Sequence, residues 1–322
     1  MKTMSKKPRF GFLVPTRDAV MRAADGRADI QRMIDLAVLS ERMGFDSIWI
    51  GDSILARPRF EALTTLAAIA ARTSRAELGT AVYLTPLRHP VPLAHTVGNL
   101  DLLSGGRLLF GIGVGPPNPP VKAEYAACGV DSRKRGLLLE EGVQIMKGLW
   151  TGNPYTFHGQ FYEVNNVKLH PLPGRPGGPP VLMAAAADAA LKRTARLADG
   201  WLPISPSPES FSNDWEKIRQ TCSEIGRDPA TLLRVLYVTI NVNREESKAR
   251  REMEDFLLAY YGPHHEEITK HQAHCIGSPE KCAAFFKGFV DVGVSHFVVR
   301  FGAAAQEPQM ERFLADVAPV VL

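Results

Sequence analysis

Eight short apolar runs, rich in Val, Ile, Leu and Phe, alternate along this chain with longer amphipathic stretches, and that alternation limits the fold more than any other feature. The runs fall at residues 9–15, 47–52, 76–84, 107–115, 181–187, 201–205, 232–242 and 296–301. Apolar residues at helical spacing mark helices between them, at 30–43, 61–73, 90–103, 134–150, 189–198, 209–225, 245–259, 279–292 and 310–317. Strands too short to be buried alone, each followed by a helix long enough to cross back, build a parallel sheet. The expected class is α/β, a closed (β/α)8 TIM barrel. A doubly wound sheet would want GxGxxG opening its first helix, and Pro15, Thr16, Arg17 and Asp18 stand there without a glycine.

The alternation pauses at 151–180, a segment dense in Pro and Gly with a strand-like piece near 161–169. It reads as an insertion carrying a small hairpin between strands four and five. The chain is therefore expected to be one barrel domain over 1–322. A loop of mixed charge is expected at 260–277, with His264 and His265 solvated. Its 322 residues, 45% of them hydrophobic, suffice for such a core. The net charge of +4 is small and its basic residues are scattered, which argues against a nucleic-acid surface. Four cysteines without a CxxC pair read as reduced thiols. No apolar leader and no run of 18 apolar residues is found, so the expectation is a cytoplasmic protein with a small-molecule substrate and no membrane partner.

In a barrel, ligands meet the C-terminal ends of the strands. Strand two ends in Gly51, Asp52 and Ser53; the acid faces the mouth, where it accepts from a cofactor hydroxyl or caps the next loop. After strand three, Arg88 and His89 read as ties between a Pro-ended turn and the next helix. Strand four ends in Gly111, Ile112, Gly113, Val114 and Gly115, whose alternate glycines clear one face for a flat ring or phosphate. Tight packing against a helix explains them equally. Ala185, Ala186 and Ala187, before a helix, offer free backbone N–H groups to a phosphate. Gly302, Ala303, Ala304 and Ala305 after strand eight are a rival seat, and the residues alone do not choose between them. No HxH follows strand one and no carboxylate cluster marks successive strand ends, which argues against a metal. No acid or base stands out as catalytic.

Several segments together resemble the luciferase-like monooxygenase superfamily over almost the whole chain. They are residues 41–50 (ERMGFDSIWI), 78–82 (LGTAV) with Arg88, His89 and Pro90, residues 103–108 (LSGGRL), and Gly113 to Gly115. Leu149-Trp150, residues 157–159 (FHG), Phe161-Tyr162 and residues 198–201 (ADGW) follow in order. The resemblance implies a flavin or deazaflavin across the barrel mouth, anchored by Asp52. It implies a non-prolyl cis peptide after strand three, matching Ala81-Val82, and a phosphate loop after strand five. That favours Ala185, Ala186 and Ala187, although the family usually has two glycines there. The cofactor contacts expected are therefore Asp52, Ala81, Val82, Gly113, Val114, Gly115, Ala185, Ala186 and Ala187.

Residues 116–120 (PPNPP) lack the Asn-rich stretch of the flavin-using sulfonate and aminopolycarboxylate oxygenases, so the spacing looks more like the coenzyme F420 subgroup, with FMN the alternative. Alcohol- and sugar-oxidising members place a His after the strand-two acid; Ser53 stands there, and Pro116 replaces the acid after strand four. The resemblance thus implies hydride delivery from reduced F420 to a C=C or C=N bond or, with FMN, oxygen activation. A non-catalytic cofactor-binding protein and a non-redox, phosphate-handling barrel enzyme remain competing readings. Relatives in this family are often homodimers; the sequence leaves oligomeric state and substrate open.

Overall fold

In the computed structural model, which describes residues 7–23, 27–263 and 265–322, the apolar runs pair side by side as strands. They are β1 (Arg9–Leu13), β2 (Ser47–Ile50), β3 (Glu77–Thr80), β4 (Leu108–Gly113), β5 (Val181–Met183), β6 (Gly200–Trp201), β7 (Leu233–Val242) and β8 (His296–Phe301). Each pairs in parallel with its neighbours, and β8 closes back on β1, for example Phe10 opposite Phe297. The closed eight-stranded barrel is thus observed.

Side-chain alternation divides the core into two layers. Outward residues such as Phe12, Ile48, Phe110, Met183 and Val299 are buried beneath the helices. Inward residues fill the barrel: Leu13, Trp49, Leu109, Leu182, Leu202, Val235 and Val298. Trp49 is the widest of these, and its indole lies where a Cβ on Gly11 or Gly79 would fall. Those two glycines leave room for one large ring across the barrel. Its Nε1 donates to Ser47 Oγ at 2.7 Å, and Ser47 Oγ also meets His296 Nε2 at 2.7 Å. Burial holds the His296 pKa well below its usual value, so this floor of the barrel carries a neutral imidazole.

Helices begin and end where local chemistry dictates. Ile30–Met43 starts at Asp29, whose side chain accepts from Arg32 N, and ends on Gly44 in the left-handed region at φ 108°. Pro90–Leu103 opens on proline, with His89 Nδ1 capping Val91 N. The segment 151–180 holds the antiparallel hairpin Tyr155–His158 with Glu163–Val167.

The structure departs from the sequence reading in three places. Helices Thr16–Arg22 and Pro119–Ala127 occupy stretches to which the sequence reading assigned no helix. The strand expected at 201–205 forms ladder pairs only at Gly200–Trp201; beyond them Pro203, which has no N–H to donate, still accepts from Tyr237 N of β7 at 3.2 Å. A strand missed in the sequence, Ala273–Gly277, takes that edge of β7 from Val238 to Val242, while Ala273 N reaches Ile204 O at 3.2 Å. The loop expected at 260–277 thus contains that strand and the short helix His265–Thr269. Among the described residues no helix is long and apolar enough to cross a membrane.

Candidate active site

The strand ends form two unlike halves of one mouth. Over β3, β4 and β5 the lining is small and apolar. The peptide Ala81-Val82 is cis, and the chain bulges there before re-pairing with β4 at Tyr83–Leu84. Both residues are half-buried and pack against the barrel interior. Gly113 lies beside them; a Cβ on it would sit 2.7 Å from Val82 Cγ2 and 3.5 Å from the Ala184 Cβ. Ala184 is half-buried and held in register by its N–H to Ile112 O at 2.8 Å. Together Ala81, Val82, Gly113 and Ala184 make a shelf on which no side chain is larger than valine. A planar ring system fits that surface, whereas a bulky residue at any of the four would cover it.

The other residues expected at the site are distributed differently. Val114 packs toward the outer core, and its carbonyl accepts from Tyr125 Oη at 3.0 Å. Gly115, at φ +68°, turns the chain toward Leu84 and Val121. Of that trio, only Gly113 faces the shelf. Ala185 is buried, and its carbonyl accepts from Trp201 Nε1 at 2.9 Å. Ala186 and Ala187 are exposed at the start of helix Asp188–Leu197, whose N-cap, Ala187, supplies no side-chain hydrogen bond. The Asp188 carboxylate is turned onto Lys217 at 3.0 Å, and Ala190 N donates to Ala187 O at 2.8 Å, which leaves the Asp188 and Ala189 N–H groups at the helix start.

Asp52 sits one residue beyond Gly51 at the mouth, with its side chain 1% exposed. Arg88 grips both its oxygens, Nη1 to Oδ2 at 2.6 Å and Nη2 to Oδ1 at 2.9 Å, and Leu84 N donates to Oδ2 at 3.0 Å. Burial opposes the charge on Arg88, but the Asp52 carboxylate outweighs it and raises the Arg88 pKa. Arg88 also lies 4.1 Å from the centre of the Tyr83 ring. In this arrangement Asp52 holds the loop that follows the cis peptide. Ser53 Oγ donates to Glu124 Oε1 at 2.9 Å, and the same oxygen accepts from Leu55 N at 2.7 Å. Ser53 is therefore a structural hydroxyl, committed to a carboxylate and not poised to take a proton from a ligand. His264 lies outside the described residues. His265, expected to be solvated, is instead buried with Nε2 2.8 Å from Glu254 Oε1.

The half of the mouth over β7, β8 and β1 is covered by helix Glu246–Tyr261, whose Met253, Phe256, Leu257 and Tyr260 form a small core of their own. Here the sequence reading missed a group of arginines. Arg300, 2% exposed on β8, donates to Thr239 Oγ1 at 3.0 Å and Tyr261 Oη at 2.9 Å. Arg17, Arg57 and Arg59 gather around Tyr260 and Tyr261. A charged residue inside the apolar run His296–Phe301 was the one available signal, because arginine is rarely buried without purpose. The other three sit in loops and a short helix, where periodicity says nothing.

Comparison with known proteins adds a family, a relative and two solved structures. A family model described as luciferase-like monooxygenase matches residues 8–296. An F420-dependent glucose-6-phosphate dehydrogenase of Kineococcus radiotolerans is 26% identical over 321 residues, covering 90% of this chain and 93% of that protein. Among solved structures, an F420-dependent secondary alcohol dehydrogenase in complex with an F420-acetone adduct superposes with TM-score 0.79 at 18% identity, covering 98% of this chain and 100% of that one. The oxygenating constituent of 3,6-diketocamphane monooxygenase from Pseudomonas putida, in complex with FMN, superposes with TM-score 0.75 at 18% identity, covering 98% and 99%. At that identity the two structures speak to the fold alone.

Proposed function

We propose, from the premise that this chain belongs to the luciferase-like monooxygenase family, that it is an oxidoreductase whose cofactor is coenzyme F420 and whose substrate is a small organic molecule with a C=C or C=N bond. The observation that carries this reading is the shelf of Ala81, Val82, Gly113 and Ala184, small and apolar beside an otherwise crowded mouth. When bound there, the reduced cofactor supplies a hydride. The chain's residues then have three tasks. Val82 and Ala184 hold the ring plane from one side, and the apolar strand ends keep water from the transfer site. The N–H groups of the first turn of helix Asp188–Leu197, beyond Ala186 and Ala187, take the cofactor phosphate.

The reductive direction is supported by what β2 lacks. Oxidising an alcohol needs a group to remove its proton. Asp52 is closed off by Arg88 and Leu84 N, and Ser53 donates to Glu124, so neither side chain at the end of β2 is free for that work. F420 is favoured over FMN by residues 116–120 and by the F420-dependent relative that aligns over 90% of this chain. Titration of the purified protein with F420 and with FMN, oxidised and reduced, tests the reading. Saturable binding of F420 with much weaker FMN binding is expected. Tight binding of FMN alone reverses the cofactor, and binding of neither removes the redox assignment.

A further inference from the structure

Most arginines of this protein have evident partners: Arg88 holds Asp52, Arg193 holds Glu140, and Arg107 is wrapped by backbone carbonyls. The cluster at the mouth is different. Arg17, in the short helix Thr16–Arg22 that follows β1, is 8% exposed, and its Nε and Nη1 are buried with no hydrogen-bond partner. Its guanidinium lies 5.0 Å from the Tyr260 ring centre, that of Arg57 5.1 Å from the Tyr261 ring, and Arg59 Nη2 3.4 Å from Tyr260 Oη. Arg300 lies against the same tyrosines, 4.7 Å from the Tyr260 ring and 5.2 Å from the Tyr261 ring. Among the described residues no carboxylate lies within ion-pair distance of any of the four.

Like charges gathered in a half-dry site repel each other and resist desolvation. The consequences are visible on both sides. Burial, with Arg59 and Arg57 nearby, lowers the Arg17 pKa to about 10. Burial alone would raise the Tyr260 phenol, but Arg59, Arg300, Arg17 and Arg57 outweigh it and draw it down to about 8. Aromatic faces stabilise guanidinium groups, yet they neutralise none of this charge. Position gives the cluster its meaning: a Cβ on Gly51 would fall on Arg59 Nη1 and lie 3.4 Å from the Ala81 carbonyl oxygen. Arg59 therefore borders the shelf directly.

We propose that Arg17, Arg57 and Arg59 form an oxyanion subsite, with Arg300 behind them, and that it receives a carboxylate or phosphate carried by the substrate. The anion supplies the missing counter-charge and takes the free Arg17 N–H groups, and its anchor sets the reducible bond over the shelf. This rests on the function proposed above only in naming the anion's carrier as the hydride acceptor; the subsite itself stands on the arginines.

The test is calorimetric titration of the full-length protein with inorganic phosphate at low ionic strength. Wild type, Arg17→Gln, Arg17→Lys and the surface control Arg133→Gln are compared. One saturable site is expected, weakened at least about tenfold by Arg17→Gln, less by Arg17→Lys and not by Arg133→Gln. Bound phosphate also moves the Tyr260 titration, followed by tyrosinate absorbance, upward from about 8, and Tyr260→Phe removes that signal. Because Arg17 carries an uncompensated charge, Arg17→Gln melts no lower than wild type in the absence of anion. The proposal is overturned by no saturable binding, by equal weakening in Arg17→Gln and Arg133→Gln, by an unmoved tyrosine titration, or by a lower melting temperature for Arg17→Gln. F420 that leaves phosphate binding intact assigns the anion to the substrate. F420 that displaces phosphate, with weaker F420 binding in Arg17→Gln, gives the subsite to the cofactor and overturns the substrate assignment. If neither F420 nor FMN binds while phosphate binding still depends on Arg17, the subsite stands and the redox reading falls.

Discussion

Replacing Asp52 by alanine lowers the stability of this protein by about 3–5 kcal/mol, the cost of leaving a buried charge without its partner. Arg88 is the stranded group, 19% exposed, and it loses both carboxylate contacts at once while Leu84 N loses its acceptor. A smaller loss is expected for the double variant Asp52→Leu with Arg88→Met, because replacing both members of a buried pair removes the orphaned charge. Denaturant unfolding of Asp52→Leu, Arg88→Met and the double variant that combines them measures this coupling. Additive losses would mean that Asp52 and Arg88 act independently, and that Asp52 faces a ligand and not the loop after the cis peptide.

Placing a large ring on the shelf has a different signature. Ala184→Trp is expected to weaken cofactor binding about 100-fold, or about 3 kcal/mol, by filling the space that the ring of the cofactor would take. Ala184 is half-buried, with the exposed Ala186 and Ala187 following it, so the indole is expected to lie outward and the melting temperature to change little. Affinity measured beside thermal unfolding separates the two effects. Unchanged affinity with unchanged stability would put the ring elsewhere on the mouth.

The barrel was legible because burial on both faces writes each strand as a compact apolar run. Ile30–Met43, Pro90–Leu103 and His296–Phe301 appear with the predicted bounds, each ended by a glycine, a proline or a cap that punctuates the sequence. Ala273–Gly277 was not legible: five residues holding a single His-Cys pair and a terminal glycine give little apolar signal, and the strand is defined by its pairing with β7 beyond Tyr237. The shelf was readable in part. Glycines at alternate positions marked one face of β4, yet only the structure shows that a Cβ on Gly111 would strike the Thr80 carbonyl, so close packing accounts for that glycine, and only the structure separates Gly113 from Val114 and Gly115. Asp52 illustrates the limit most clearly. An acid at a strand end is the same letter whether it waits for a ligand or closes on an arginine 36 positions away, and that pairing is decided by tertiary approach. The arginine cluster was invisible for the same reason, since Arg17, Arg59 and Arg300 meet only when the barrel closes β8 onto β1 and β1 onto β2.

A crystal structure of the protein with its bound cofactor tests the central claim most directly. The account predicts the planar ring in van der Waals contact with Val82 and Ala184, edge-on to the arginines, with its phosphate at the first turn of Asp188–Leu197. A ring lying anywhere else, with Val82 and Ala184 left facing solvent, would contradict it.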